Sequence, residues 1–191
     1  MSNYLGVFLA PRMLIGLAVV LGVAAVATWW YRERYAGWRR VGLFGFWASA
    51  GVVLLATLWR EAPQGPCPAC LADWHLGKIA TGVFGTDVAL NLALFVPPVL
   101  LATLLWRAPV RATLAAAAGS LVIEIVQPLI GVGANDMVDV LANTAGAIIG
   151  AILGGIILAI ADLTARRQIL PATVLKLAVA ALLAGTVFVG Y

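Results

Sequence analysis

Two carboxylates in apolar surroundings are the residues of this sequence best suited to chemistry. Glu124 lies three residues before Gln127 in one apolar run, and Asp139 lies four residues before Asn143 in the next. Residues three or four apart share one face of an α-helix, so each run presents a polar pair on one side. Two carboxylates in a partly desolvated pocket repel each other, which favours retention of a proton by one of them. Such a pair can supply a general acid and a general base, or it can join two helices through a shared proton.

The composition identifies the surroundings of these carboxylates as a lipid bilayer. Of the 191 residues, 63% are apolar and 10% are charged, whereas about a quarter of the residues in a soluble domain are charged. A chain with so few charges cannot cover its own surface in water. We therefore predict one integral membrane domain over residues 1–191, with membrane lipid as a partner.

Six apolar runs are long enough to cross a bilayer, which requires roughly 20 helical residues. They predict an all-α, polytopic membrane helix bundle of about six transmembrane helices. The strands of a membrane barrel are about ten residues of alternating polarity, a pattern that does not fit these runs. The predicted spans are residues 5–30, 41–59, 87–106, 112–130, 138–161 and 171–191.

Basic residues give the predicted orientation of the spans. The second connection carries only Arg60 and Lys78, and the fourth carries no basic residue. By the positive-inside rule, the arginine-rich odd connections are cytoplasmic and both termini lie outside. The net charge of +4 reflects this asymmetry, and we expect no nucleic-acid partner. The arginines of the odd connections are Arg32, Arg34, Arg39, Arg40, Arg107, Arg111, Arg166 and Arg167.

The two cysteines, Cys67 and Cys70, lie in the second connection, on the predicted outer side. Thiols outside a cell tend to be oxidised, so a small-ring disulfide or two plain thiols are the simplest interpretations. A redox role stays open, although the βαβ context of redox Cys-x-x-Cys motifs is missing. A zinc site would need His75 and a fourth ligand, and the spacing matches no strong zinc template. We predict no metal and no cofactor.

Small and polar residues also mark where helices begin and meet. Asn135 or Asp136 is placed to cap the helix that follows, because a short polar side chain accepts the orphan N–H groups of its first turn. Gly146, Gly150 and Gly154 recur at every fourth residue and are predicted to let a second helix approach closely.

Asn91 is a polar residue of the third predicted span, six residues before the Pro97–Pro98 pair. A proline pair in mid-span kinks a helix and frees carbonyl groups that a neighbour must satisfy. Two interpretations of Asn91 are open: a hydrogen bond to another helix, or membership of a polar site.

These residues together resemble the VanZ-like family of bacterial membrane proteins. The similarity covers about residues 87–155, the predicted VanZ-like core. An arginine usual for the family precedes the aspartates, and here Gly133-Ala134-Asn135 occupies that place. Either Lys78, Arg60 or His75 replaces that arginine, or the function differs. The motifs are Asn91…Leu94-Phe95-Val96-Pro97, Glu124-x-x-Gln127 and Asp136-x-x-Asp139-Val140-x-x-Asn143-Thr144-x-Gly146-Ala147-x-x-Gly150.

The resemblance implies a multi-pass protein of the bacterial cell membrane, in a family whose founding member is associated with low-level resistance to teicoplanin-type glycopeptides. We expect an outward-facing polar pocket that binds a lipid-linked or cell-wall-related ligand, or the glycopeptide. One alternative is an intramembrane enzyme in which Glu124 and Asp139 act on a lipid or cell-wall precursor, although no Ser-His-Asp or metal cluster accompanies them. Another is a small proton-coupled transporter, although the Pro97–Pro98 break has no second counterpart in the sequence. The expected pocket residues are Asn91, Glu124, Gln127, Asp139 and Asn143.

Overall fold

The structure is a computed structural model, and it describes residues 11–58, 65–72, 74, 85–133 and 135–166. Within them the chain is helical, and five helices are long and apolar enough to cross a membrane. The prediction of an all-α membrane bundle is confirmed. The sixth predicted span, residues 171–191, lies outside the described residues, as do Arg60, His75 and Lys78. The helices are α1 (Pro11–Trp30), α2 (Trp38–Leu58), α3 (Thr86–Trp106), α4 (Pro109–Ile130) and α5 (Met137–Arg166), with a short 3-10 helix at Pro68–Ala72.

The hairpin of α3 and α4 follows from the local sequence. Arg107 ends α3 in the left-handed conformation, with φ of 54°, and its N–H donates to the carbonyl of Thr103 at 2.8 Å. Pro109 then begins α4 three residues before the predicted start at residue 112, because proline suits the first helical position, where no N–H is needed. Only two residues separate the helices, so α3 and α4 run antiparallel.

The closest helix packing joins α5 to α3. A Cβ atom built at Gly146 would overlap the carbonyl oxygen of Leu92, and one built at Gly150 would lie 2.5 Å from the carbonyl oxygen of Val96. Further along α5, Gly154 lies against the side chain of Thr103. The glycine stripe therefore sets the distance between these two backbones. The polar half of α5 faces α4 instead.

Two groups of contacts define opposite ends of the bundle. At one end, Arg39 donates to the carbonyl of Leu105 at 2.7 Å, and Trp106 donates to the Tyr35 hydroxyl at 3.1 Å. An exposed ion pair between Arg107 and Asp162 lies at the same end, which we call the basic end. Helix α5 continues past the predicted boundary at residue 161 and includes Asp162. The opposite end holds the 3-10 helix and the α4–α5 turn. The first and third connections thus share one end of the bundle.

Candidate functional site

Among the described residues, two hydrogen bonds cross the seam between α4 and α5. The carboxylate of Glu124 accepts the backbone N–H of Asp136 at 2.9 Å, and Nδ2 of Asn143 donates to the Ser120 hydroxyl at 2.8 Å. Glu124 and Asn143 are each 2% exposed, and Ser120 is fully buried. Glu124 is thus directed at the beginning of α5, where unpaired N–H groups and the positive end of the helix dipole favour a carboxylate.

Asp136 is the N-cap of α5. Its Oδ1 accepts the N–H of Val138 at 2.9 Å, while its backbone carbonyl accepts the N–H groups of Asp139 and Val140. Of the two candidates named from the sequence, Asp136 rather than Asn135 therefore has the geometry of a cap. The Asp136 side chain thus caps α5, and the Asp136 N–H binds Glu124.

Asp139 lies along α5 between the two contacts of the seam. Its Oδ1 is buried, although the residue as a whole is half-buried. One turn deeper, the Oδ1 atom of Asn143 is buried and has no hydrogen-bond partner among the described residues. Carboxylates only accept hydrogen bonds when ionised, and the amide oxygen of Asn143 also accepts. The seam is therefore rich in acceptors and suits a group that donates hydrogen bonds or carries positive charge.

The other two expected pocket residues lie elsewhere. Gln127 is buried, and its Nε2 donates to the carbonyl of Thr57 on α2 at 3.1 Å, so it joins α4 to α2. Asn91 is buried on α3. The structure thus brings Glu124 and Asn143 to one seam and places Asp139 on α5 one turn from Asn143, while Gln127 is engaged at another interface.

Sequence reasoning missed Ser120 and Thr57. Ser120 precedes Glu124 by four residues and thus shares its helix face, so its spacing could have included it. Thr57 contributes only its backbone carbonyl to the bond with Gln127, and no side-chain pattern indicates such a partner.

The two cysteines form a disulfide, and the segment that contains them, residues 65–72, lies on the α4–α5 turn. We call it the disulfide segment. The N–H of Cys67 donates to the carbonyl of Pro128 at 2.8 Å. Nδ2 of the fully buried Asn135 reaches the carbonyls of Cys70 at 3.2 Å and Leu71 at 3.3 Å. The segment therefore covers the turn that leads into the polar seam.

An open apolar groove of about 380 Å³ lies between α4 and α5 nearer the basic end, away from the polar seam. Its chemistry suits hydrocarbon chains and offers no charged group to a polar ligand. Among the described residues, no group of three His, Cys, Asp or Glu side chains is placed to hold a metal ion. The groove is lined by Pro109, Val110, Thr113, Leu114, Ile148, Ala151 and Ile152.

Five apolar helices with a buried polar seam define a multi-pass membrane protein. The family model VanZ/LLP1 matches residues 13–158, which is more than half of the chain, and the protein belongs to the VanZ-like family. The match begins within α1 and includes α2 and the disulfide segment, in addition to the motifs of residues 87–155. Comparisons with curated proteins and with solved structures gave no match.

Proposed function

We propose that this VanZ-like protein binds a polar ligand at the α4–α5 seam, near the outer surface of the bacterial cell membrane. The ligand would be a lipid-linked or cell-wall-related molecule, or a glycopeptide of the teicoplanin type. The observation that supports this proposal is the buried Oδ1 of Asn143, which has no partner among the described residues. An unsatisfied buried acceptor is costly, and a ligand that donates a hydrogen bond would offset that cost.

The acceptors of the seam specify which part of the ligand binds. Glu124, Asp139 and Asn143 present oxygen atoms, which attract ammonium and hydroxyl groups and disfavour phosphate. Glycans, amino sugars and glycopeptides carry such donors. The proposed contact is therefore with the sugar or amine portion of the ligand. Asn91 would approach from α3, and Gln127 would position α4 through its bond to Thr57.

A second candidate function is acid–base chemistry on a lipid or cell-wall precursor. It is supported by the presence of a carboxylate on each of two neighbouring helices, Glu124 on α4 and Asp139 in the first turn of α5, where Glu124 accepts the Asp136 N–H. In this version Glu124 and Asp139 would be the catalytic pair, and the ligand would be a substrate. Ligand binding and acid–base chemistry both require the Asp139 carboxylate, so the Asp139→Asn variant tests both functions.

Expression in a glycopeptide-sensitive bacterium tests the proposal. The wild-type protein should raise the inhibitory concentration of teicoplanin, and Asp139→Asn should reach the same level in the membrane without raising it. The matched control is Asp162→Asn, which makes the same chemical change at the exposed ion pair of the basic end. Full protection by the Asp139→Asn protein would contradict a ligand site at the seam. Failure of the Asp139→Asn protein to accumulate in the membrane would identify Asp139 as a packing element. A wild-type protein without protection would exclude the glycopeptide as ligand.

A further inference from the structure

The disulfide segment contacts the α4–α5 turn at three places. Cys67 donates its N–H to the carbonyl of Pro128, and Asn135 donates to the carbonyls that follow the disulfide. The backbone of Gly65 lies directly against Gly131, where φ is 76° and an added Cβ atom would overlap it. These contacts leave Asn135 with no exposed surface.

Asn135 links the disulfide segment to the polar seam because the next residue is Asp136. The Asp136 N–H binds Glu124, and the Asp136 side chain caps α5. A change in the position of Asn135 therefore moves Asp136, the residue that joins α5 to α4. The path from the disulfide to Glu124 runs through two consecutive residues.

We propose that the Cys67–Cys70 disulfide is a redox-sensitive switch that holds the disulfide segment over the Glu124 seam. Reduction would release the carbonyls of Cys70 and Leu71 from Asn135 and loosen the first turn of α5. The regulation of ligand access rests on the proposed function, whereas the conformational switch does not. Oxidised protein would keep the seam covered, and reduced protein would open it.

The reductant we name by class is a dithiol, such as a thiol–disulfide exchange protein on the outer side. One of its thiolates attacks a sulfur of the Cys67–Cys70 bond and forms a mixed disulfide, which its second thiolate resolves. The protein's S–S bond breaks, an S–S bond forms in the reductant, and two electrons and two protons pass to Cys67 and Cys70. Both cysteines are partly exposed, and the neighbouring Pro66, Pro68 and Ala69 are exposed, so a dithiol has access.

The closed ring explains why the bond affects Asn135. Cys67 and Cys70 are three residues apart, and the N–H of Cys70 donates to the carbonyl of Cys67 at 3.0 Å. The disulfide therefore fixes the first turn of the 3-10 helix, and Asn135 binds the carbonyl of Cys70, which is in the ring, and that of Leu71, which directly follows it. An isolated turn of this length is not stable on its own, since helix nucleation is unfavourable. Opening the ring removes the constraint that holds both carbonyls in position.

Hydrogen–deuterium exchange of the full chain in lipid nanodiscs tests the switch. Dithiothreitol should accelerate exchange in peptides that cover residues 131–140 on the order of tenfold, because two hydrogen bonds that hold the turn are lost. Peptides from α3 should be unchanged. The Cys67→Ser/Cys70→Ser protein should exchange at the reduced rate with or without dithiothreitol. Asn135→Ala should exchange faster even when oxidised, and dithiothreitol should add little.

Equal exchange of residues 131–140 in oxidised and reduced wild-type protein would overturn the switch, and this comparison needs no variant that might misfold. Exchange does not involve a ligand, so the result is independent of the proposed function. Accelerated exchange without any effect of the protein on teicoplanin susceptibility would support the switch and reject the glycopeptide ligand. Unchanged exchange, in a protein whose protection against teicoplanin depends on Asp139, would reject the switch and support the ligand site.

Discussion

The carboxylate of Glu124 accepts the backbone N–H of Asp136 at 2.9 Å, although the two residues belong to different helices. This bond joins the C-terminal part of α4 to the beginning of α5, and Glu124 is 2% exposed. Hydrogen bonds to charged groups contribute about 1.5–3 kcal/mol, roughly twice the contribution of neutral ones. The bond therefore stabilises the hairpin and also fixes where the remaining acceptors of the seam lie.

Replacement of Glu124 by Gln should lower the free energy of unfolding by about 1 kcal/mol, since a neutral acceptor replaces a charged one. The control is Glu33→Gln, because that side chain is 90% exposed and should change stability little. Equilibrium unfolding in mixed detergent micelles measures both. Equal stability of the two variants would show that Glu124 does not hold the hairpin.

Replacement of Gly146 by Ala should destabilise the protein by about 1–3 kcal/mol, because the added methyl group overlaps the backbone of α3 at Leu92. Gly155 provides the matched control, since a Cβ atom there meets open space. Gly155→Ala should be neutral or stabilising by up to about 1 kcal/mol, the usual helix advantage of Ala over Gly. Thermal unfolding in detergent compares the two. A Gly146→Ala protein as stable as Gly155→Ala would contradict the close α3–α5 packing.

Removal of the cap side chain by Asp136→Ala should cost about 1 kcal/mol. Asp136→Ser retains an acceptor for the Val138 N–H and should recover most of that loss. The bond to Glu124 uses the backbone of Asp136 and is present in both variants. Amide exchange of the first turn of α5, measured beside stability, distinguishes fraying of that turn from general destabilisation. Equal losses in the Ala and Ser variants would exclude a capping role.

The ion pair between Arg107 and Asp162 should contribute little to stability. Both side chains are more than half exposed, and exposed pairs contribute about 0–1 kcal/mol. Arg107→Gln should therefore leave the unfolding free energy unchanged within about 0.5 kcal/mol. Chemical denaturation at low and at high salt gives the answer. A large loss that disappears at high salt would show a stronger electrostatic role.

The fold was predictable because membrane helices are specified by local sequence. Five of the predicted runs correspond to α1 to α5, with some ends shifted. Pro109 begins α4 three residues before the predicted start, and α5 extends to Arg166, beyond the predicted end at residue 161. Polar or proline-containing turns at the helix ends cause such shifts, and hydropathy alone does not locate them.

The candidate site was predictable only where residues share a helix face. Spacing placed Asp139 and Asn143 on one side of α5 and Glu124 on the facing helix. Spacing could not show that Gln127 binds a backbone carbonyl of α2, because that partner carries no side-chain pattern. Nor could it show that Asn135 binds the carbonyls of Cys70 and Leu71, which lie 65 and 64 residues away in sequence.

Native mass spectrometry of the protein in nanodiscs, with teicoplanin or a bacterial membrane lipid extract added, tests ligand binding at the α4–α5 seam. We expect a bound mass on the wild-type protein and on Asp162→Asn that is lost from Asp139→Asn, while all three proteins are equally folded. The same bound mass on all three proteins would contradict a ligand site at the α4–α5 seam. So would the absence of any bound mass on the wild-type protein with either addition.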